Sequence, residues 1–212
     1  FLDSGEIVVG CSRGEATIEH PRYCHSQLDV SDEEGVRDWM KFIKKNFSSV
    51  DALICNAALA PANLLALSTT GDVLESLMKT NIAGTVYACR EAAKAMMLQK
   101  RGRIITVSSM AVGLHAEGTS AYAASKSAVV EFTKILAKEV APFGITANVI
   151  APSMIHTEAT EALGEKVRER ALASLTIKRE VTLPEICNVV DFFLKPESVC
   201  ITGQVVHMGL VV

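Results

Sequence analysis

The chain alternates short apolar runs with longer stretches whose apolar residues recur at helical spacing. Glu6 to Cys11 is an apolar run stopped by Ser12-Arg13-Gly14 and reads as a strand. Arg22 to Val30 holds a second strand, in which Cys24, Ser26 and Leu28 alternate with His25, Gln27 and Asp29. Ser31-Asp32-Glu33-Glu34 has the form of a capping box. It opens a helix with Val36, Trp39, Met40 and Ile43 on one face and Lys44-Lys45 near its end, where cations suit the helix dipole. Further strands are expected at Val50 to Cys55, Arg103 to Ser108, Thr146 to Ala151 and within Val199 to Met208. Ala60 to Thr70 reads as a loop. Helical patterns run from Asp72 to about Gln99 with a break near Asn81, from Ser120 to Ala141, and from Leu183 to Leu194. Pro152 to Val181 is helical but variable, and Phe1 to Gly5 looks like the end of a helix capped by Gly5. Strands alternating with helices predict a parallel sheet covered on both faces. Right-handed crossovers make this a single doubly wound, Rossmann-type α/β domain over residues 1–212.

Composition narrows the picture. Hydrophobic residues make up 49% of 212 positions, enough for one large core. A net charge of −3 and a pI near 6.0 give no reason to expect nucleic acid or an anionic membrane as partner. No apolar run reaches the roughly 18–20 residues of a membrane span. The six cysteines, Cys11, Cys24, Cys55, Cys89, Cys187 and Cys200, form no C-x-x-C pair and read as reduced core residues of a cytoplasmic protein. No signal peptide is seen and no metal site is expected.

Candidate chemistry concentrates between Val107 and Lys126. Ser109 follows a strand. Tyr122 and Lys126 stand four apart at the start of a helix, so their side chains share a face. A free tyrosine has a pKa of about 10 and is a poor acid or base near neutrality. A nearby ammonium favours the phenolate, which would suit Tyr122 to general acid–base work. Ser109 could then hydrogen-bond the oxygen of a carbonyl substrate. An ordinary helix carrying a Tyr and a Lys is the plain alternative, and context decides between them.

Ser109 with Tyr122-Ala-Ala-Ser-Lys126 resembles the active site of the classical short-chain dehydrogenase/reductase family. Cys55-Asn56-Ala57-Ala58, Thr80-Asn81-Ile82-Ala83-Gly84, Asn148-Val149-Ile150-Ala151-Pro152-Ser153 and Ile201-Thr202-Gly203-Gln204 extend the similarity over essentially the whole chain. Within the family the sequence is most similar to 3-oxoacyl-[acyl-carrier-protein] reductases. One family feature is not found. The glycine-rich turn T-G-x-x-x-G-x-G, which would let a backbone approach a pyrophosphate at a helix N-terminus, would lie upstream of Phe1. In the family's strand order the strand before that turn is central. The domain is therefore expected to be N-terminally incomplete, with the strands at Glu6 and Val50 facing each other across a gap. The connection from Arg13 to Tyr23 is also shorter than the family usually shows.

The resemblance implies a catalytic tetrad of Asn81, Ser109, Tyr122 and Lys126. Tyr122 would donate the proton, Ser109 would polarise the carbonyl, Lys126 would acidify Tyr122 and bind the nicotinamide ribose, and Asn81 would hold a water linking Lys126 to solvent. Asp29 and Val30 resemble the pair at the adenine. Asn56 and Ala57 resemble the lining of the adenosine ribose, with Ala58 where Gly is usual. Pro152, Ile155 and Thr157 resemble the clamp on the carboxamide and phosphates, with Ser153 where Gly is usual. His207-Met208-Gly209 stands in place of Asp-Gly-Gly. Ser12 and Arg13 carry no acid to accept a 2′-hydroxyl, and a guanidinium can bind a 2′-phosphate, so NADP(H) is expected over NAD(H).

The expected activity is NADPH-dependent reduction of a carbonyl, with 3-oxoacyl thioesters as substrate. Oxidation of a sugar, polyol or steroid alcohol stays open, as does a non-catalytic scaffold. His115 and His156 are candidate substrate contacts or plain loop histidines. Lys100, Arg101 and Arg103 are candidates to dock an acyl carrier protein, although Phe143 falls where such reductases often carry a basic residue. The broad apolar surface of the Ser120–Ala141 helix, with the Asp72–Gln99 stretch, predicts a homotetramer or homodimer.

Overall fold

The structure is a computed structural model that describes residues 1–60, 64–156, 160 and 164–212. Strand β1 (Val8–Ser12) pairs in parallel with β2 (Tyr23–Gln27), from Val8 opposite Tyr23 to Ser12 opposite Gln27. Helix α1 (Glu33–Asn46) starts one residue later than a Ser31 cap would place it. Asp29 Oδ1 takes the Ser31 N–H at 2.9 Å, which commits Ser31 to a turn. Asp32 becomes the cap and accepts the Glu34 N–H at 3.1 Å. The apolar face of α1 buries Val36, Met40 and Ile43 as the periodicity requires.

Strand β3 (Ala52–Cys55) leads into a loop and then a helical run in three pieces. These are α2 (Gly71–Leu77), a π-turn over Met78–Ala83, and α3 (Gly84–Gln99). The expected break near Asn81 is this π-turn. Strand β4 (Gly102–Val107), the short α4 (Ala111–Leu114), α5 (Ser120–Val140) and the fully buried β5 (Ile145–Pro152) follow. Then come α6 (Glu165–Ala173), α7 (Leu183–Leu194) and β6 (Val205–Met208). Helix α7 begins with a capping box that the sequence reading did not single out: Thr182 and Glu185 each receive the other's backbone N–H. The Phe1–Gly5 segment forms turns rather than a helix end, though Gly5 does take the positive φ of +90° expected of a cap.

Strands β3-β4-β5-β6 form one parallel sheet, and β1-β2 form a separate pair. No ladder joins β1 to β3 among the described residues, so the expected gap is present. The two halves are held by helices instead. Helices α1 and α3 pack together, and Val9 and Leu28 share one core with Met40, Ala88, Leu53 and Ile104. An exposed ion pair, Arg90 to Glu33 at 3.0 Å, spans the same helix contact. Between β1 and β3 lies a cavity of about 1310 Å³. The cysteines depart from expectation: Cys89 is buried and Cys11, Cys24 and Cys55 half-buried, but Cys187 and Cys200 are exposed. Cys187 lies on the solvent side of α7, and Cys200 lies in a turn before β6 rather than in the strand expected there.

Candidate active site

The site is built at the carboxyl end of β4. Met110 donates its N–H to Pro152 O at 2.9 Å, which ties the Ser109 turn to the end of β5. Ser109 Oγ accepts the Ala111 N–H at 3.2 Å, and its side chain lies close enough to the Tyr122 phenol to influence its ionisation. Tyr122 lies in the first turn of α5, and Lys126 lies one turn on, 3% exposed. Lys126 Nζ donates to Val107 O at 2.8 Å and sits 6.0 Å from the centroid of the Tyr122 ring. Ser108 Oγ donates to Lys126 O at 3.2 Å, which pins the same helix turn to β4 from the other direction. Ser109, Tyr122 and Lys126 therefore converge as the spacing predicts.

Their electrostatics differ from the prediction. Burial pushes the Tyr122 phenol above its ordinary value, and the neighbouring Ser109 hydroxyl pulls against that. Lys126 does not make the phenol acidic here. Its ammonium is turned to the Val107 carbonyl, and burial lowers its own pKa to about 8. At neutral pH Tyr122 is a protonated donor beside a cation that gives up its proton easily for a lysine.

Asn81 is 1% exposed in the π-turn, and Nδ2 donates to Leu59 O and to Ser125 Oγ, both at 3.0 Å. Its Oδ1 accepts the Leu59 N–H at 2.7 Å, and its carbonyl accepts Thr85 Oγ1 at 2.8 Å. Both side-chain donors of Asn81 are taken by protein groups. It acts as a strut between the segment after β3 and α5. Ser125 completes that strut by donating to Tyr122 O at 2.7 Å. Ser125 was not singled out from sequence. The only signal for it was a small polar residue on the face of α5 that must be buried.

The remaining predicted residues fall into two groups. Ser12, Arg13, Asp29 and Val30 sit at the ends of β1 and β2, and Asn56 and Ala57 follow β3. All six line the large cavity. That cavity does not include Ser109, Tyr122 or Lys126, which lie farther along the same edge. Asp29 has its carboxyl lowered chiefly by the Ser31 N–H, with a smaller contribution from Arg13, which places that guanidinium nearby. Gly84 is packed under this corner: a Cβ there would stand 2.8 Å from Val30 Cγ2 and 3.1 Å from Val30 O. Pro152 is buried and Ile155 half-buried, while Thr157 lies outside the described residues. His115 is exposed with φ 51°, and His156 lies 3.9 Å from Glu180.

Lys100, Arg101 and Arg103 do not rim the site. They stand at the amino end of β4, about 20 Å from Ser109 at strand rise. Arg101 is paired with Asp51 at 3.0 Å. The first and last residues of a strand lie at opposite ends of the sheet, however close they are in the chain.

The residues present fit the two ends of a dinucleotide, with exposed polar groups at the carboxyl ends of β1, β2 and β3 and a hydroxyl pair at β4. No glycine-rich turn for the pyrophosphate is found among them. No described residues cluster in a way that could hold a metal ion, and no described helix is long and apolar enough to cross a membrane.

Comparison with known proteins gives a consistent answer. A family model described as enoyl-(acyl carrier protein) reductase matches residues 12–209. The 3-oxoacyl-[acyl-carrier-protein] reductase FabG of Buchnera aphidicola is 35% identical over 183 residues, covering 86% of this chain and 74% of that protein. FabG of Escherichia coli is 34% identical over 182 residues with the same coverage. Among solved structures, ElxO with NADP bound superposes with a TM-score of 0.89 at 26% identity, covering 98% of this chain and 89% of that one. NAD+-bound xylitol dehydrogenase, at 24% identity, shares the fold with a TM-score of 0.82 over 88% of this chain and 78% of that one. With the hydroxyl pair at the end of β4, the lysine one helical turn beyond it and these matches, the chain belongs to the short-chain dehydrogenase/reductase family.

Proposed function

We propose that this chain is an NADPH-dependent carbonyl reductase acting on 3-oxoacyl thioesters. The observation that carries the reading is the Ser109 hydroxyl beside a half-buried, protonated Tyr122, with Lys126 one turn away. The FabG relatives and NADP-bound ElxO support the substrate class and the cofactor. Arg13, exposed beside Asp29, is the group for a 2′-phosphate. Asp29, Val30, Asn56 and Ala57 would hold the adenosine end, and Pro152, Ile155 and Thr157 the nicotinamide end.

Bound NADPH supplies a hydride to the carbonyl carbon. The chain's residues handle the oxygen. Ser109 donates a hydrogen bond that fixes it, and Tyr122 delivers the proton as negative charge develops there. The product is a secondary alcohol and the phenolate is left beside Lys126. A cation with a pKa of about 8 is well matched to return that proton. Asn81 and Ser125 position this turn of α5 from behind. The test is NADPH oxidation with acetoacetyl-CoA, comparing the chain with Tyr122→Phe. The variant should keep its melting temperature and lose roughly 10²–10⁴-fold in kcat. Equal rates would reject the mechanism.

A further inference from the structure

The turn that carries Arg13 is fastened in an uncommon way. Parallel strands are ordinarily joined by a crossover of about a dozen or more residues, most often a helix. Between β1 and β2, residues 13–22 form no helix, and Arg13 and Gly14 are exposed. Strand β2 holds the turn instead, from the side. Val8, Gly10 and Ser12 of β1 stand opposite Tyr23, His25 and Gln27 of β2, so all six share one face of the strand pair. The other face turns Val9 and Leu28 into the core.

On the shared face, Gln27 Nε2 donates to Arg13 O at 2.8 Å. His25 Nε2 lies 3.0 Å from Gly14 O, and a carbonyl only accepts, so this nitrogen carries the ring proton. Nδ1 is then the acceptor, and the Tyr23 hydroxyl donates to it at 3.1 Å. Ser12 Oγ donates to Gly14 O as well, at 3.1 Å. Gly10 leaves room for the Tyr23 ring: a Cβ there would stand 2.5 Å from the phenol oxygen.

We propose that His25 and Gln27 are positioning residues that aim Arg13 at the 2′-phosphate of NADP(H), an assignment that rests on Arg13 being the contact for that group. The carbonyls of Arg13 and Gly14 are both engaged by β2, which fixes the peptide planes before and after Gly14. Glycine has the widest backbone freedom of any residue, so without these bonds the turn would sample many directions. A turn held before the cofactor arrives loses less freedom on binding. The imidazole has both nitrogens engaged by protein groups, so His25 acts through the turn and not on the phosphate.

The test is calorimetric binding of NADP+ and of NAD+ to the full-length protein and its variants, which needs no turnover. Arg13→Ala should weaken NADP+ about ten- to a hundredfold and leave NAD+ nearly unchanged. His25→Ala and Gln27→Ala should each weaken NADP+ about three- to tenfold, with NAD+ again nearly unchanged. On the Arg13→Ala background neither should have a further effect, since no guanidinium remains to be aimed. His25→Gln, whose amide can still donate to Gly14 O, should bind NADP+ within about twofold of the parent. Gln27 is exposed, so Gln27→Ala keeps the test open if loss of the His25 ring unsettles β2. An equal loss for NAD+ would make both residues general supports of the strand pair and overturn the proposal. So would full additivity with Arg13→Ala, or a His25→Gln variant as weak as His25→Ala. If Arg13→Ala leaves NADP+ unchanged, the role of Arg13 falls and the proposal with it. Loss in Arg13→Ala without loss in His25→Ala and Gln27→Ala strikes the proposal alone.

Discussion

At the scale of single residues, the site is decided by what burial does to charge. Lys126 is held inside the protein with a pKa lowered to about 8. Below pH 8 both the folded and the unfolded chain carry this proton, and the folded state bears the cost of burying it. Between about 8 and the unfolded value of 10.5 the unfolded chain binds more protons, so stability rises with pH. Tyr122 has the opposite sign. Its raised pKa makes the folded chain keep a proton that the unfolded chain loses above about 10, and stability falls there. Urea unfolding of the chain and of Lys126→Met from pH 7.5 to 9.5 separates the two. The variant's advantage in stability should narrow as pH rises, and a constant difference would show that Lys126 does not titrate in this range. Arg13 carries the second prediction. Arg13→Glu removes a charge-assisted contact to a 2′-phosphate and should raise KM for NADPH about ten- to a hundredfold. KM for NADH should stay nearly unchanged, and an equal rise for both would assign Arg13 to the adenosine generally.

At the scale of elements, turn and cap chemistry positions the site more than helix propensity does. The π-turn over Met78–Ala83 re-aims Asn81 into the contact between Leu59 and Ser125. The break was legible because helical spacing falters around Thr80-Asn81. Its π geometry was not, since nothing local to the sequence shows which carbonyls a helix will skip. Helix α7 rests on its capping box, with Glu185 held well below the usual carboxylate range first by Arg179 and then by Thr182. Thr182→Ala should cost about 1 kcal/mol. Thermal unfolding would read this, and an unchanged midpoint would mean that packing of Val190 and Phe193 alone sets the start of α7. The Ser31 cap was misplaced for a similar reason. Several polar residues in a row all qualify as caps, and the Asp29 turn chose among them.

At the scale of the whole molecule, exposed apolar residues on α3 and α5 support assembly. Leu98 is 79% exposed and Ile135 is 56% exposed. Ala124 and Ala128 share the uncovered side of α5 with Ile135, so this stripe is narrower and smaller-sided than the sequence pattern implied. Light scattering should give a multiple of 22.7 kDa, and Ile135→Lys should reduce it. A single-chain mass for the unsubstituted protein would remove the idea. The order of elements, the parallel sheet and the convergence of Ser109, Tyr122 and Lys126 follow from the sequence, because strand period, helix period and an i,i+4 spacing are local properties of a chain. The direction of Lys126, the engagement of Asn81, and the distance of Arg101 and Arg103 from the site were decided only in three dimensions. Each depends on which carbonyl, edge or helix face residues distant in the chain bring alongside, and on how far burial outweighs the charge of a neighbour.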